Sequence, residues 1–211
     1  IFGYGNTGSY VSMSNLVSSS GVIASDVTGV GTARKLLAAT TYGTDKAIFA
    51  YGYDGSNNLS MSNLVSNSGV VADDVTGVGT ARTYLAAARY GADKAIFGYG
   101  LTLGPSVLVG MSNLVSSSGV IATDVARVGT ARYHLGAANY GYDKALFGFG
   151  NSGSYTAITN LVSNVGVISA DVAGVGTGRS GVAAATYGGD KAIFGYGEHP
   201  ATAVTNLVSN T

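Results

Sequence analysis

Residues 93–100 read Asp93-Lys94-Ala95-Ile96-Phe97-Gly98-Tyr99-Gly100, a polar turn followed by a short apolar run that ends on glycine. The octet returns in slightly varied form at 45–52, 143–150 and 190–197. Its last five residues open the chain as Ile1-Phe2-Gly3-Tyr4-Gly5. A second block, Asn-Leu-Val-Ser, begins at Asn15, Asn63, Asn113, Asn160 and Asn206, and an arginine recurs at Arg34, Arg82, Arg132 and Arg179. The Asn-Leu-Val-Ser copies are 48, 50, 47 and 46 residues apart. Repetition at such a period means one supersecondary unit that buries its apolar surface only against its neighbours.

The length variation is localised. From each repeated asparagine to the lysine of the next octet is always 31 residues (15 to 46, 63 to 94, 113 to 144, 160 to 191). From that lysine to the closing glycine is always six. Between that glycine and the following asparagine the count varies: 10, 11, 13, 10 and 9. Each unit thus combines a length-locked framework with one elastic loop, and loops that tolerate insertion are where function concentrates.

Within a unit the residues predict four short strands. Strand a is small and apolar (Leu85 to Tyr90), a Gly-x-Asp-Lys turn leads into strand b (Ala95 to Tyr99), and the elastic loop leads to strand c (Met111 to Val115). A Ser/Asn-Gly turn then gives strand d (Gly119 to Ala122), and a Gly-Val-Gly-Thr stretch carries the chain to the next unit. Short strands with regularly spaced turn residues predict an all-β array. Four strands per repeat of this length predict a β-propeller blade. The alanines of strand a suit an innermost strand crowded around a channel. The expected organisation is one domain over 1–211, with repeats at about 1–33, 34–81, 82–131, 132–178 and 179–211. Counting strands leaves three closures open: five blades with incomplete first and last blades, a four-blade ring with a surplus b–c hairpin, or a piece of a longer array. Five blades are expected, and the chain is compatible with being part of a longer protein.

Composition supports this and excludes much else. Of 211 residues 33 are glycine, two are proline, and none is cysteine or tryptophan. A single glutamate and no glutamine leave little of the vocabulary of surface helices. The absence of cysteine excludes a disulfide or thiolate–zinc framework. Eleven basic and eleven acidic residues balance, so nucleic acid is not the expected partner. Glycine or polar residues break every apolar run well short of the roughly 20 residues of a membrane helix, so no insertion is expected.

The order arginine, small apolar strand, apolar strand ending in glycines, two outer strands resembles the kelch repeat, carried here by Arg82, Leu85 to Tyr90 and Ala95 to Gly100. Gly-Tyr-Gly stands in place of the kelch Gly-Gly doublet, and the outer-strand tryptophan is absent. The resemblance implies a kelch-like propeller of four-stranded blades and no particular activity. The Ala-Ile-Phe-Gly-Tyr-Gly repeat is also similar to repeat proteins of marine bacteriophages.

Sixteen of the 22 charged residues sit at repeat-locked positions: Asp26, Asp74, Asp124, Asp171; Asp45, Asp93, Asp143, Asp190; the four arginines; and Lys46, Lys94, Lys144, Lys191. A catalytic group acts once per site, whereas a strut recurs, so these read as structural ion pairs and turn caps. Each Asp-Val aspartate is expected to meet an arginine or backbone amides near the connection between units. His134 and His199, 65 residues apart, form no evident ligand set, Gly-Val-Gly-Thr lacks the strand-to-helix context of a phosphate loop, and Asp54 to Asn58 is explained by turn formation. No cofactor, metal or catalytic set is expected, and the chain is not expected to be an enzyme. Framework tyrosines at the ends of strands a and b read as packing between blades.

The expected function is a binding or adhesion module for a glycan or a protein surface, extracellular or virion-associated, with phage-particle or host-surface recognition implied by the second resemblance. The ligand residues expected are Tyr10, Tyr53, Asn57, Asn58, Leu103 and Tyr155. They belong to elastic loops 6–10, 53–59, 101–109, 151–156 and 198–203, expected on one face, with 101–109 the longest and most apolar. Tyr133 and Tyr142 occupy variable positions too. The alternative is a structural, self-assembling repeat protein that forms homo-oligomers through unpaired terminal strands.

Overall fold

The computed structural model describes residues 1–199 and 201–210. Among them the chain is all-β, with fourteen strands in five small antiparallel sheets. The first sheet pairs β1 (Phe2–Asn6) with β2 (Tyr10–Asn15). The second orders β3 (Ala38–Tyr42), β4 (Lys46–Tyr53) and β5 (Asn58–Val65). The third contains β6 (Ala86–Tyr90), β7 (Lys94–Thr102) and β8 (Val107–Val115), and the fourth β9 (Gly136–Tyr140), β10 (Lys144–Gly148) and β11 (Thr159–Val162). The fifth contains β12 (Ala183–Tyr187), β13 (Lys191–Gly195) and β14 (Thr205–Val208). The middle strand of each complete sheet is the octet, apolar on both sides because it lies between neighbouring sheets: Ile96, Phe97 and Tyr99 are fully buried.

The fourth strand expected in each unit is present only as isolated bridges. Val65 pairs with Val71 and Ser62 with Val75, and the same two bridges recur as Val115–Ile121 with Ser112–Val125 and as Val162–Ile168 with Thr159–Val172. Three residues separate the bridges on one side (62 to 65) and four on the other (71 to 75), so one residue is extra and the ladder cannot run through. The Asn63 side chain fills the break, its Nδ2 donating to the Ala72 carbonyl at 3.0 Å.

The glycine-tyrosine-glycine end of the octet is a bulge. The register of β7 against β8 shifts between Gly98 and Gly100, with Tyr99 at φ 62° and Gly100 at φ 116°. Two consecutive positive φ values turn the tyrosine into the seam between sheets. A Cβ at Gly100 would stand 2.6 Å from the Thr83 carbonyl oxygen, which explains the glycine there. Each bulge glycine donates its N–H to the next unit's arginine carbonyl: Gly5 to Arg34 (2.9 Å), Gly52 to Arg82 (3.0 Å), Gly100 to Arg132 (2.9 Å) and Gly150 to Arg179 (2.9 Å).

Successive sheets stack through repeated contacts, with β3, β6, β9 and β12 side by side in that order. The core is accordingly a series of clusters, one per seam, such as Tyr51, Leu85 and Phe97 between the second and third units. Phe147 fills the space over Gly98 and Phe194 that over Gly148. The turns between the first two strands of a unit share one face with the turns after its third strand, where Asn67 Nδ2 reaches Asp45 Oδ2 (3.3 Å) and Asn164 Nδ2 reaches Asp143 Oδ2 (3.0 Å). The elastic hairpins lie at the other end of the strands.

Candidate functional site: the hairpin face and its central concavity

The arginine that opens each unit supplies the rigid floor. Arg34, Arg82, Arg132 and Arg179 are completely buried. Each guanidinium lies over the bulge aromatic of the preceding unit, at 4.2 Å from the rings of Tyr4, Tyr51 and Tyr99 and 4.1 Å from that of Phe149. Its Nε donates to the bulge carbonyl of its own unit, as Arg82 does to Tyr99 O at 2.9 Å, and its Nη1 to the carbonyl two residues earlier, Thr80 O at 3.0 Å. Burial pulls the Arg82 guanidinium below its usual pKa, opposed by the Tyr51 ring beneath it. Of the two partners expected for the Asp-Val aspartates, backbone amides prevail: Thr32 N, Thr80 N and Thr130 N donate to Asp74, Asp124 and Asp171, and among the described residues one arginine–aspartate pair forms, Arg34 Nη1 to Asp74 Oδ1 at 3.9 Å. The Asp-Val aspartates thereby cap the connections. Asp74 Oδ2 accepts from Thr32 N (2.9 Å) and Thr32 Oγ1 (2.7 Å), and its Oδ1 accepts from Asn63 Nδ2 (2.9 Å). Burial alone would raise this carboxyl, but the Thr32 and Asn63 hydrogen bonds outweigh it and hold its pKa below the ordinary value. Asp124 and Asp171 repeat the arrangement on Thr80 and Thr130.

Two residues beyond each arginine the chain turns left-handed. Leu36, Tyr84, His134 and Gly181 have φ of 59°, 54°, 53° and 61°. They form a backbone belt in which Tyr84 N donates to Leu36 O (3.0 Å), His134 N to Tyr84 O (3.1 Å) and Gly181 N to His134 O (2.9 Å). Four sheets thereby converge on one concavity of about 310 Å³, floored by Leu37, Leu85, Leu135 and Val182 and walled by the belt. The Tyr84 ring meets the His134 ring edge-on at 4.1 Å and the Tyr133 ring at 5.8 Å. Burial lowers the His134 pKa, with Glu198 opposing it more weakly, so at neutral pH the imidazole is an uncharged donor and acceptor.

The hairpin tips lie at the same end of the strands as this concavity, and neighbouring tips touch in three places. Tyr10 and Tyr53 meet at 6.3 Å, Lys35 Nζ lies 5.1 Å from the Tyr10 ring, and Tyr155 stacks on His199 at 4.8 Å with planes 8° apart. Asn58 Nδ2 donates to the Leu103 carbonyl at 3.0 Å, joining the second and third hairpins. Tyr53, Asn57, Asn58, Leu103, Tyr10 and Tyr155 thus all belong to the hairpin face, in unequal roles. The Asp54 carboxylate caps the turn, accepting from the Asn57 backbone N–H at 2.7 Å, Asn58 is a strut between hairpins, and Tyr53 donates its hydroxyl to Gly55 O at 2.7 Å. Tyr155 is 41% exposed.

Two further expectations change. The apolar stretch 101–109 is a continuation of the β7–β8 ladder, with Leu101 opposite Leu108 and Thr102 opposite Val107, so only the turn 103–106 is a loop. Tyr142, 66% exposed, follows β9 in the turn to β10 and so faces away from the hairpins. Loop 198–203 includes Pro200, which lies outside the described residues. The sequence reading placed no ligand role on Leu36, Tyr84 or His134, because they fall inside the length-locked stretch. The available signal was that the two positions between the repeated arginine and the repeated aliphatic residue vary, as Lys-Leu, Thr-Tyr, Tyr-His and Ser-Gly.

No protein-family model matches the chain, and no curated protein matches it. Among the described residues no three His, Asp or Glu side chains gather as a metal site.

Proposed function

We propose that the chain is a non-catalytic binding module that presents its hairpin face and central concavity to a glycan, with its five units forming the successive blades of a kelch-like propeller whose first and last blades are incomplete. The observation that carries the reading is the belt. Four superimposable backbone positions, all left-handed, bear Leu36, Tyr84, His134 and Gly181. A left-handed backbone costs a non-glycine residue roughly 1–2 kcal/mol, which Tyr51, Tyr99 and Phe149 offset by burial in the seams, whereas the belt side chains border an open concavity. Here three large side chains occupy it and line the concavity. Rings flanked by neutral hydrogen-bonding groups suit sugars, which stack on aromatic faces and need no charge. A place on a cell or virion surface fits this reading.

The test is a broad glycan array probed with the native chain and with a Tyr84→Ala/Tyr133→Ala variant, both checked by thermal melting. Discrete glycan signals that vanish in the folded variant support the proposal. Signals that persist in the variant move the site off the concavity, and silence of the native chain on every glycan leaves the face to a protein surface.

A further inference from the structure

Three rings and one carboxylate gather on one side of the concavity. Tyr84 and His134 line it, and Tyr133 packs beside them. The Tyr84 ring is inclined at 77° to the His134 ring and at 68° to the Tyr133 ring, so the three make a corner rather than a flat platform. The opposite side is aliphatic, formed by Leu36 and Leu37. At Gly181 the belt carries no side chain, and the Glu198 carboxyl stands beside that position: a Cβ at Gly181 would lie 3.6 Å from Glu198 Cδ and 3.8 Å from Oε1. Gly181 N is bonded to the His134 carbonyl at 2.9 Å, and the carboxylate acts electrostatically on the imidazole.

The framework requires no acid here. Glu198 bridges Ser180 as Tyr53 bridges Lys35, Leu101 bridges Thr83 and Asn151 bridges Tyr133, so four equivalent positions carry four unrelated side chains. Glu198 is the one glutamate of the chain. Its charge is left unmatched by the protein. Among the described residues its one ion-pair approach is His199 Nε2, 3.6 Å from Oε2 and too long for a hydrogen bond. Burial keeps the neighbouring His134 uncharged at neutral pH. Behind the belt, Asp74, Asp124 and Asp171 oppose the charges of Arg34, Arg82 and Arg132. Arg179 is directed to Tyr196 O (2.7 Å) and Asn206 Oδ1 (2.9 Å).

A carboxylate beside aromatic rings, with no cation of the protein paired to it, is the chemistry that holds an ammonium group. We propose that the glycan taken by the concavity is an amino sugar, whose protonated amine lies at the Tyr84–Tyr133–His134 corner and donates to Glu198. The proposal rests on the glycan reading and adds to it the charge of the ligand.

Isothermal titration calorimetry at pH 6 and low salt tests it with three β-1,4-linked hexamers that differ at C2: glucosamine, whose amines are largely protonated there, N-acetylglucosamine and glucose. The native chain is expected to bind the glucosamine hexamer about tenfold tighter than either neutral one, and the difference should shrink as salt is raised. Glu198→Gln keeps the shape of the side chain and removes its charge, and thermal melting checks that the variant folds. In it the ratio of glucosamine to glucose affinity should fall to near one. A native chain that binds all three hexamers alike, one that prefers a neutral hexamer, or a glucosamine preference that survives in Glu198→Gln would overturn the proposal and leave the glycan reading standing. Binding of none of the three would overturn the proposal as well, and the glycan array then decides the wider reading separately.

Discussion

Arg132 and His134 are two residues apart and could hardly be used more differently. The first repeats in four units, is fully buried, and is fixed by the Tyr99 ring, the Phe149 carbonyl and the Thr130 carbonyl. The second sits on a backbone position that is just as regular, yet the side chain there is Leu, Tyr, His or Gly. At the arginine the fold dictates the side chain. At the belt it dictates only the backbone, and the side chain differs from unit to unit. Geometry repeats without chemistry repeating, two residues from a position where both repeat.

The framework side of that contrast should break hardest at the bulge. Gly100→Ala puts a side chain at φ 116° and against the Thr83 carbonyl, so a loss of about 2–3 kcal/mol is expected in urea denaturation. A loss below about 0.5 kcal/mol would mean that the bulge relaxes freely and is no framework element. Asp74→Ala should cost less, about 1–2 kcal/mol, by leaving Thr32 and Asn63 without their acceptor. It also sharpens the acid limb of stability. Asp74, Asp124 and Asp171 have folded pKa values below the ordinary one. Their contribution is therefore present above the unfolded value of about 3.9 and is lost as pH falls through the lower folded value. The variant should lose less stability than the native chain between pH 4 and pH 2. An identical acid limb in both proteins would show that these caps contribute nothing.

The framework was largely legible in the sequence because its period is strict and its apolar octet is unambiguous. Strands a, b and c appear where the residues place them, as β6, β7 and β8 show. Strand d was not legible as a pair of bridges, since the extra residue between Val71 and Val75 shows only once the partner strand is known. The arginines were read, with the aspartates, as structural ion pairs and turn caps because a strut recurs in every unit. Their real partners, carbonyls and ring faces, are placed by the Tyr99 bulge, whose left-handed backbone runs against the preference of tyrosine. On the hairpin face Tyr10, Tyr53 and Tyr155 were visible through loop-length variation. Tyr84 and His134 were hidden, because their variation is of side chain at constant length.

The comparison of Arg132→Ala with His134→Gly tests the account most directly, by urea denaturation at pH 7.5 and pH 5. Losing the arginine opens a cavity and strands the Phe149 and Thr130 carbonyls, so Arg132→Ala should lose about 3–5 kcal/mol at both pH values. His134→Gly relieves a left-handed backbone and should stay within about 1 kcal/mol of the native chain at pH 7.5. Because burial depresses the folded His134 pKa, the unfolded chain takes up its proton first as pH falls below about 6.5. The native chain therefore loses a little stability between pH 7.5 and pH 5, and His134→Gly should lose less. Equal losses for the two substitutions at pH 7.5 would show that the belt side chain is as much a part of the framework as the arginine, and would contradict the account.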